Sequence, residues 1–153
     1  MAEQIGLYDD KKRLRQRSTT NYTNEWATPQ WLYDELDAEF HFTLDPCSND
    51  RNHKCDKYFT ESGLEQSWVV ERVFCNPPFS EIEKRVAKAF YETKADGTLV
   101  VMLIPTRTDT KYFHDYILNR AEVRFVRGRL KFGERGTHAP FPSMIVIFRG
   151  AKV

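Results

Sequence analysis

Residues 73–84, "VFCNPPFSEIEK", decide how this chain is built. "VFC" is a short apolar run of strand-favouring residues. Pro77 and Pro78 end it, because proline cannot donate to a strand ladder. Beyond the prolines, Ile82, Val86, Ala89 and Phe90 recur at helical spacing. Ser80 and Glu83 have the spacing of a capping box, and Gly97 is a stop signal past the helix. The unit is therefore a strand, a stiff corner and an amphipathic helix.

Working outward, "TLVVMLIP" (98–105) is a near-continuous apolar run, the pattern of a strand buried on both faces of a parallel sheet. Asp109 is placed to cap the next helix, in which Tyr112, Phe113, Tyr116 and Ile117 share a face. "EVRFV" (122–126) and "SMIVIF" (143–148) read as two strands joined by the basic link "RGRLKFGERGTHAPFP". Toward the N-terminus, "TPQWLYDELDAEF" (28–40) predicts a helix capped by Thr28, with Pro29 at its first position and Leu32, Leu36 and Phe40 as its buried stripe. "FTLDPCSN" (42–49) predicts a short strand stopped at Asp45 by Pro46. Residues 47–68 are weakly patterned, with "KYFT" a short strand and "ESGLEQSW" a turn or short helix. Strands alternating with helices predict an α/β fold with an open, mostly parallel sheet, closed by a terminal antiparallel hairpin and covered by helices on both faces. Such sheets bind ligands beyond the carboxyl ends of their strands, where both the Asp45-Pro46-Cys47 and Asn76-Pro77-Pro78-Phe79 corners fall.

A chain of 153 residues, 41% of them hydrophobic, is sized for one domain with one sizeable core. Its 23 basic and 22 acidic residues leave a net charge of +1, so any surface for a polyanion has to be local. The obvious candidates are residues 11–24, "KKRLRQRSTTNYTN", and the link residues Arg127, Arg129, Lys131 and Arg135. Each is either a solvated segment or a set of phosphate contacts. No apolar run is long enough to span a bilayer, and the first residues lack the apolar core of a secretion signal. A cytoplasmic protein without membrane contact is expected, with its three cysteines reduced. Cys47 and Cys55 are too far apart for a zinc-type pair, so no metal is expected.

Two consecutive prolines hold the Asn76 side chain and the neighbouring carbonyls in one orientation. The Asn76 amide oxygen and the Pro77 carbonyl can each accept one hydrogen of an exocyclic amine, while Phe79 offers a ring face for stacking. An aromatic amine is a poor nucleophile because its lone pair is delocalised into the ring. Two acceptors pulling on its hydrogens favour the pyramidal form and aim that pair outward, toward an electrophile.

At this point "NPPF" resembles the Asp/Asn-Pro-Pro-aromatic motif of amino-methyltransferases. "EWATP", "LDPCSND", "KCDKYFT", "GLEQSW", "VFCNPPF" and "GRLKF" are similar, in order and spacing, to the small phage-type DNA N-6-adenine methyltransferases. The resemblance implies a Rossmann-like class I methyltransferase domain over residues 25–153, preceded by a flexible basic arm over 1–24. It implies S-adenosylmethionine as donor and methyl transfer to the N6 amino group of an adenine flipped out of double-stranded DNA. Protection from restriction, in the host cytoplasm if the protein is phage-encoded, is the role it suggests. By position, Asn76 and Pro77 orient the amine, Pro78 stiffens the corner and Phe79 is the stacking platform, where many relatives carry tyrosine. Trp26, Thr28, Pro29, Asp45, Pro46 and Cys47 are implied to approach the cofactor with Asn76, and Tyr58 to stack on its adenine. The chain departs from the wider superfamily in having "DPCS" in place of a glycine-rich loop. The acid for the ribose is left between Asp56 and Glu65. Trp26 and Trp68 are either core residues or ligand contacts, and Asp45 either caps a turn or faces the donor. Competing readings are another amino-methyltransferase (RNA adenine, cytosine N4 or protein glutamine), a non-catalytic DNA-binding homologue, and a nuclease using Asp45, Asp50 and Asp56.

Overall fold

The computed structural model describes residues 27–132 and 137–153. Trp26, Arg135 and the segment 1–24 lie outside the described residues. The elements are helix α1 (Gln30–Phe40), strand β1 (Arg72–Cys75), helix α2 (Ile82–Glu92), strand β2 (Leu99–Pro105), a short π-helix (Phe113–Ile117), strand β3 (Glu122–Phe125), a small ribbon of β4 (Lys131–Phe132) and β5 (Thr137–His138), and strand β6 (Ser143–Arg149).

The main sheet has the order β1-β2-β6-β3. β1 and β2 are parallel, in the register Arg72↔Leu99 to Cys75↔Met102. Beyond β1 the parallel part continues as two single bridges, Leu44↔Val73 and Asp45↔Tyr58, so the expected strand ending at Asp45 is present but very short. β3 and β6 pair antiparallel, as a terminal hairpin should. β6 is nevertheless inserted between β2 and β3, pairing with β2 along its whole length. Burial explains the choice. β6 is buried from Ser143 to Phe148, whereas β3 is half-buried or exposed, so the more apolar strand takes the interior place.

Alternate residues of each strand serve opposite faces. On one face Leu32, Leu36 and Phe40 of α1 pack with Phe74, Val101, Leu103 and Ile145. On the other, Ile82, Val86 and Ala89 of α2 and Phe113 and Ile117 of the π-helix pack with Val73, Val100, Met102 and Val146. Helices thus cover both faces of a mixed α/β sheet. Trp68 is fully buried in the second cluster, its indole N–H donating to the Gly63 carbonyl at 2.9 Å, which makes it a core residue.

Three capping expectations are corrected. Thr28 does not cap α1, whose N-cap is Pro29, because its hydroxyl oxygen instead accepts from the Asn76 amide. Ser80 makes no cap for α2, since the helix is entered through a 3₁₀ turn, Phe79–Glu81, without a side-chain cap. At the π-helix it is Thr110, and not Asp109, whose oxygen accepts the Phe113 N–H, at 3.3 Å. The cysteine expectation is corrected too: Cys47 and Cys75 form a disulfide, leaving Cys55 as a free, buried thiol. The 28-residue separation hid this pairing, because only the sheet brings the ends of neighbouring strands together. Burial pushes the Cys55 thiol up to about 11, so it stays protonated at neutral pH.

Candidate active site

The carboxyl ends of the parallel strands open on one cavity of about 580 Å³, a size that takes a small organic ligand. Its composition changes along the strand order. At the end beside Asp45 the wall is polar: Thr28, Asp45, Ser48, Asn52 and Lys54. Asn76, Pro77 and Pro78 line the middle. At the end beside β2 and β6 the wall is mostly rings and apolar chains, with Phe79, Pro105, Phe132 and Phe141, and Ser143 among them.

Asp45 is 4% exposed and is held from both sides. One carboxylate oxygen accepts the Cys47 N–H at 3.2 Å and the other the Lys54 N–H at 3.0 Å. Desolvation raises the Asp45 pKa above the usual aspartate value, against the pull of those backbone donors. The turn beside Pro46 and the cavity wall are therefore one feature: Asp45 caps its own loop and presents a buried carboxylate.

The Asn76 amide nitrogen donates to the Thr28 hydroxyl at 3.0 Å. That bond ties the "ATP" segment to the diproline corner across the sequence and, with the Thr28 hydroxyl accepting, leaves the Asn76 oxygen at the other end of the amide. Pro78 has φ −61° and ψ 147°, the extended geometry that turns the chain sharply into the 3₁₀ turn. Phe79 follows at once; its ring is T-shaped to Phe141, 5.1 Å between centres, and the Arg107 guanidinium carbon lies 5.8 Å from the ring centre.

Of the residues expected at the cofactor, Thr28, Asp45, Cys47 and Asn76 line the cavity, while Pro29, Pro46 and Tyr58 do not. Pro46 lies between two lining residues. The Tyr58 ring is stacked on His53, 4.0 Å between centres, and its hydroxyl donates to Asp50 at 2.6 Å. Neither Asp56 nor Glu65 lines the cavity; Asp50 does. Arg127, Arg129 and Lys131 are exposed and are not part of the cavity wall.

Several residues on the wall carried no signal in the sequence. Lys54, Arg85, Phe141 and Ser143 come from four different segments, and only the tertiary fold aligns them. The Ser143 hydroxyl is buried without a hydrogen-bond partner among the described residues, which is uncommon for a native polar group.

A mixed α/β sheet whose strand ends carry an amide–diproline–aromatic corner defines a class, the transferases that modify planar amines. Residues 16–152 match the family described as DNA N-6-adenine-methyltransferase (Dam). A DNA N-6-adenine-methyltransferase of Haemophilus phage HP1 (strain HP1c1) is 29% identical over 133 residues, spanning 80% of this chain and 77% of that protein. The chain belongs to the DNA N-6-adenine-methyltransferase family.

Proposed function

We propose that this chain moves a methyl group from S-adenosylmethionine to N6 of an adenine rotated out of double-stranded DNA, using one Rossmann-like catalytic domain over residues 25–153. The observation that carries the reading is a single cavity that joins the buried Asp45 carboxylate to the Asn76-Pro77-Pro78-Phe79 corner. The residues at the polar end fit S-adenosylmethionine: Asp45 suits its ammonium and Lys54 its carboxylate, while Thr28 and Cys47 border the same space. When bound, S-adenosylmethionine supplies a methyl group activated by its sulfonium.

The protein's own part is binding and orientation. Asn76 Oδ1 and the Pro77 carbonyl accept the two N6 hydrogens, localise the lone pair and direct it away from the corner, and once N6 carries the methyl group one of those hydrogens leaves as a proton to water. Pro78 keeps both acceptors from turning aside. Phe79, buttressed by Phe141, stacks on the extruded base and offsets part of the few kcal/mol that unstacking costs. Ser143 offers its hydroxyl to a ring nitrogen of that base. The exposed Arg127, Arg129 and Lys131 contact phosphates without reading sequence. Rate enhancement of this kind comes from proximity and fixed dipoles, without a covalent enzyme intermediate. No helix among the described residues is long and apolar enough to cross a membrane, and the reading places the protein in the cytoplasm with its DNA.

The deciding experiment offers unmodified DNA, RNA and protein with labelled donor, followed by nucleoside mass spectrometry. N6-methyladenine in DNA is the expected product. Label in RNA adenine, in N4 of cytosine or in glutamine would replace the substrate and keep the corner chemistry. DNA binding without donor binding would point to a non-catalytic homologue.

A further inference from the structure

The donor-side loop lacks the glycines that usually let a backbone approach a nucleotide cofactor, and its Cys47 is linked to Cys75 beside the amine corner, so what is left to be placed is the Pro46 backbone between Asp45 and Cys47. Arg85, on the first turn of α2, is only 2% exposed although it is charged. Its Nη1 donates to the Pro46 carbonyl at 2.8 Å, while Nε and Nη2 reach one Glu81 oxygen at 3.1 and 2.9 Å. Gly63, in the 3₁₀ turn Glu61–Leu64, packs against the same pair. A Cβ at Gly63 would lie 2.0 Å from the Pro46 carbonyl oxygen and 2.6 Å from Arg85 Nη1. The turn is anchored in the core, because its carbonyl accepts the Trp68 indole.

We infer that Arg85 and Gly63 are positioning residues that set the Asp45-Pro46-Cys47 loop at a fixed distance from the amine corner, and so do the work a glycine-rich loop does elsewhere. α2 grows directly out of the Asn76-Pro77-Pro78-Phe79 corner. A bond from α2 to the Pro46 carbonyl therefore adds a second tie between the donor loop and the corner, one residue from the Cys47–Cys75 disulfide. Proline has no N–H, so its carbonyl is the handle that residue offers, and a charged donor makes the stronger grip. Gly63 supplies the clearance. The glycine that the loop needs comes from a later segment and reaches the loop only in the fold.

This inference rests on the donor lying at the Asp45 end. It is tested with Gly63→Ala, Arg85→Gln and Arg85→Lys, measuring S-adenosylhomocysteine affinity by calorimetry, KM for donor and for DNA, kcat and Tm. Losing a charge-assisted bond predicts roughly 10–100-fold weaker S-adenosylhomocysteine binding in Arg85→Gln and Gly63→Ala, with the KM for DNA nearly unchanged. Arg85→Lys, which keeps charge and fold, should recover part of the affinity and show faster amide exchange at Cys47 and Ser48 than wild type. Wild-type donor affinity in folded Gly63→Ala and Arg85→Lys, with unchanged exchange, overturns the inference. So does an equal loss for donor and DNA that merely follows Tm. Should the wild-type protein itself bind no S-adenosylhomocysteine, the functional reading falls along with it, an outcome distinct from the first two.

Discussion

The two ends of the cavity are built by different physics. At the Asp45 end, directional bonds hold the shape: two backbone donors on the carboxylate, Asn76 on Thr28, and a buried guanidinium on Pro46. At the Phe79 end, rings pack on rings, Phe79 against Phe141 at 5.1 Å and Phe141 against Phe132 at 6.0 Å, with few polar groups. On the proposed reading, a charged, flexible donor is gripped by geometry at the first end, whereas a flat base needs the surface that the second end offers. The contrast teaches that damage at one end should leave the other end's ligand nearly untouched.

The sharpest way to break this division is at the residue both ends share. Asn76→Ala should lower kcat by about 10²–10³-fold, the scale for losing one preorganised polar group at a reacting centre. Its calorimetric affinity for S-adenosylhomocysteine should fall by a smaller factor, about 2–10-fold, because the neutral hydrogen bond to Thr28 at the Asp45 end is lost with the amide. Asp45→Asn should weaken S-adenosylhomocysteine by roughly 10–100-fold, as expected for a lost charge-assisted contact, while the KM for DNA holds. Phe79→Ala should do the reverse. Removing a stacking platform worth about 1–3 kcal/mol raises the KM for DNA and leaves donor binding alone, and Phe79→Tyr should restore it. A Phe79→Ala protein that loses donor affinity would erase the division.

Acid titration sharpens the comparison further. Burial raises the Asp45 pKa, so this carboxylate takes up a proton at a higher pH than an exposed aspartate does. Donor affinity should therefore decline on acidification before ordinary aspartates titrate, and Asp45→Asn should flatten that limb. Stability moves the other way. A raised carboxyl pKa means that the folded state binds the proton more tightly than the unfolded chain. This group's stabilising contribution is therefore present at low pH and lost as pH rises through its folded pKa. The smallest effect is reserved for Ser143→Ala, with about a 2–10-fold loss in kcat/KM for DNA, the scale of one neutral hydrogen bond, and no change in donor affinity.

The Phe79 end was the more legible half at its corner and the less legible elsewhere. Asn76-Pro77-Pro78-Phe79 is contiguous, and proline's fixed torsion makes its geometry a local property. Phe132 in β4, Ser143 in β6 and Phe141 just before β6 reach the same wall from strands whose places depend on long-range pairing. Local rules misjudged the helix starts for a related reason. Thr28 has the chemistry of a cap, but in the fold its hydroxyl is engaged by an amide from a distant strand end. Periodicity served better where burial is one-sided or complete: the stripes of α1 and α2 and the apolar run of β2 all pack as their spacing predicts.

By itself the sequence determined the alternation of strands and helices and the stiff Asn76-Pro77-Pro78-Phe79 corner, because these follow from side-chain period and proline's torsion. Only the tertiary structure decided that β6 lies between β2 and β3, that Cys47 meets Cys75, and that Gly63 and Arg85 close on Pro46. Those contacts join segments far apart in the chain, and nothing in local periodicity encodes which distant partner a buried group will satisfy.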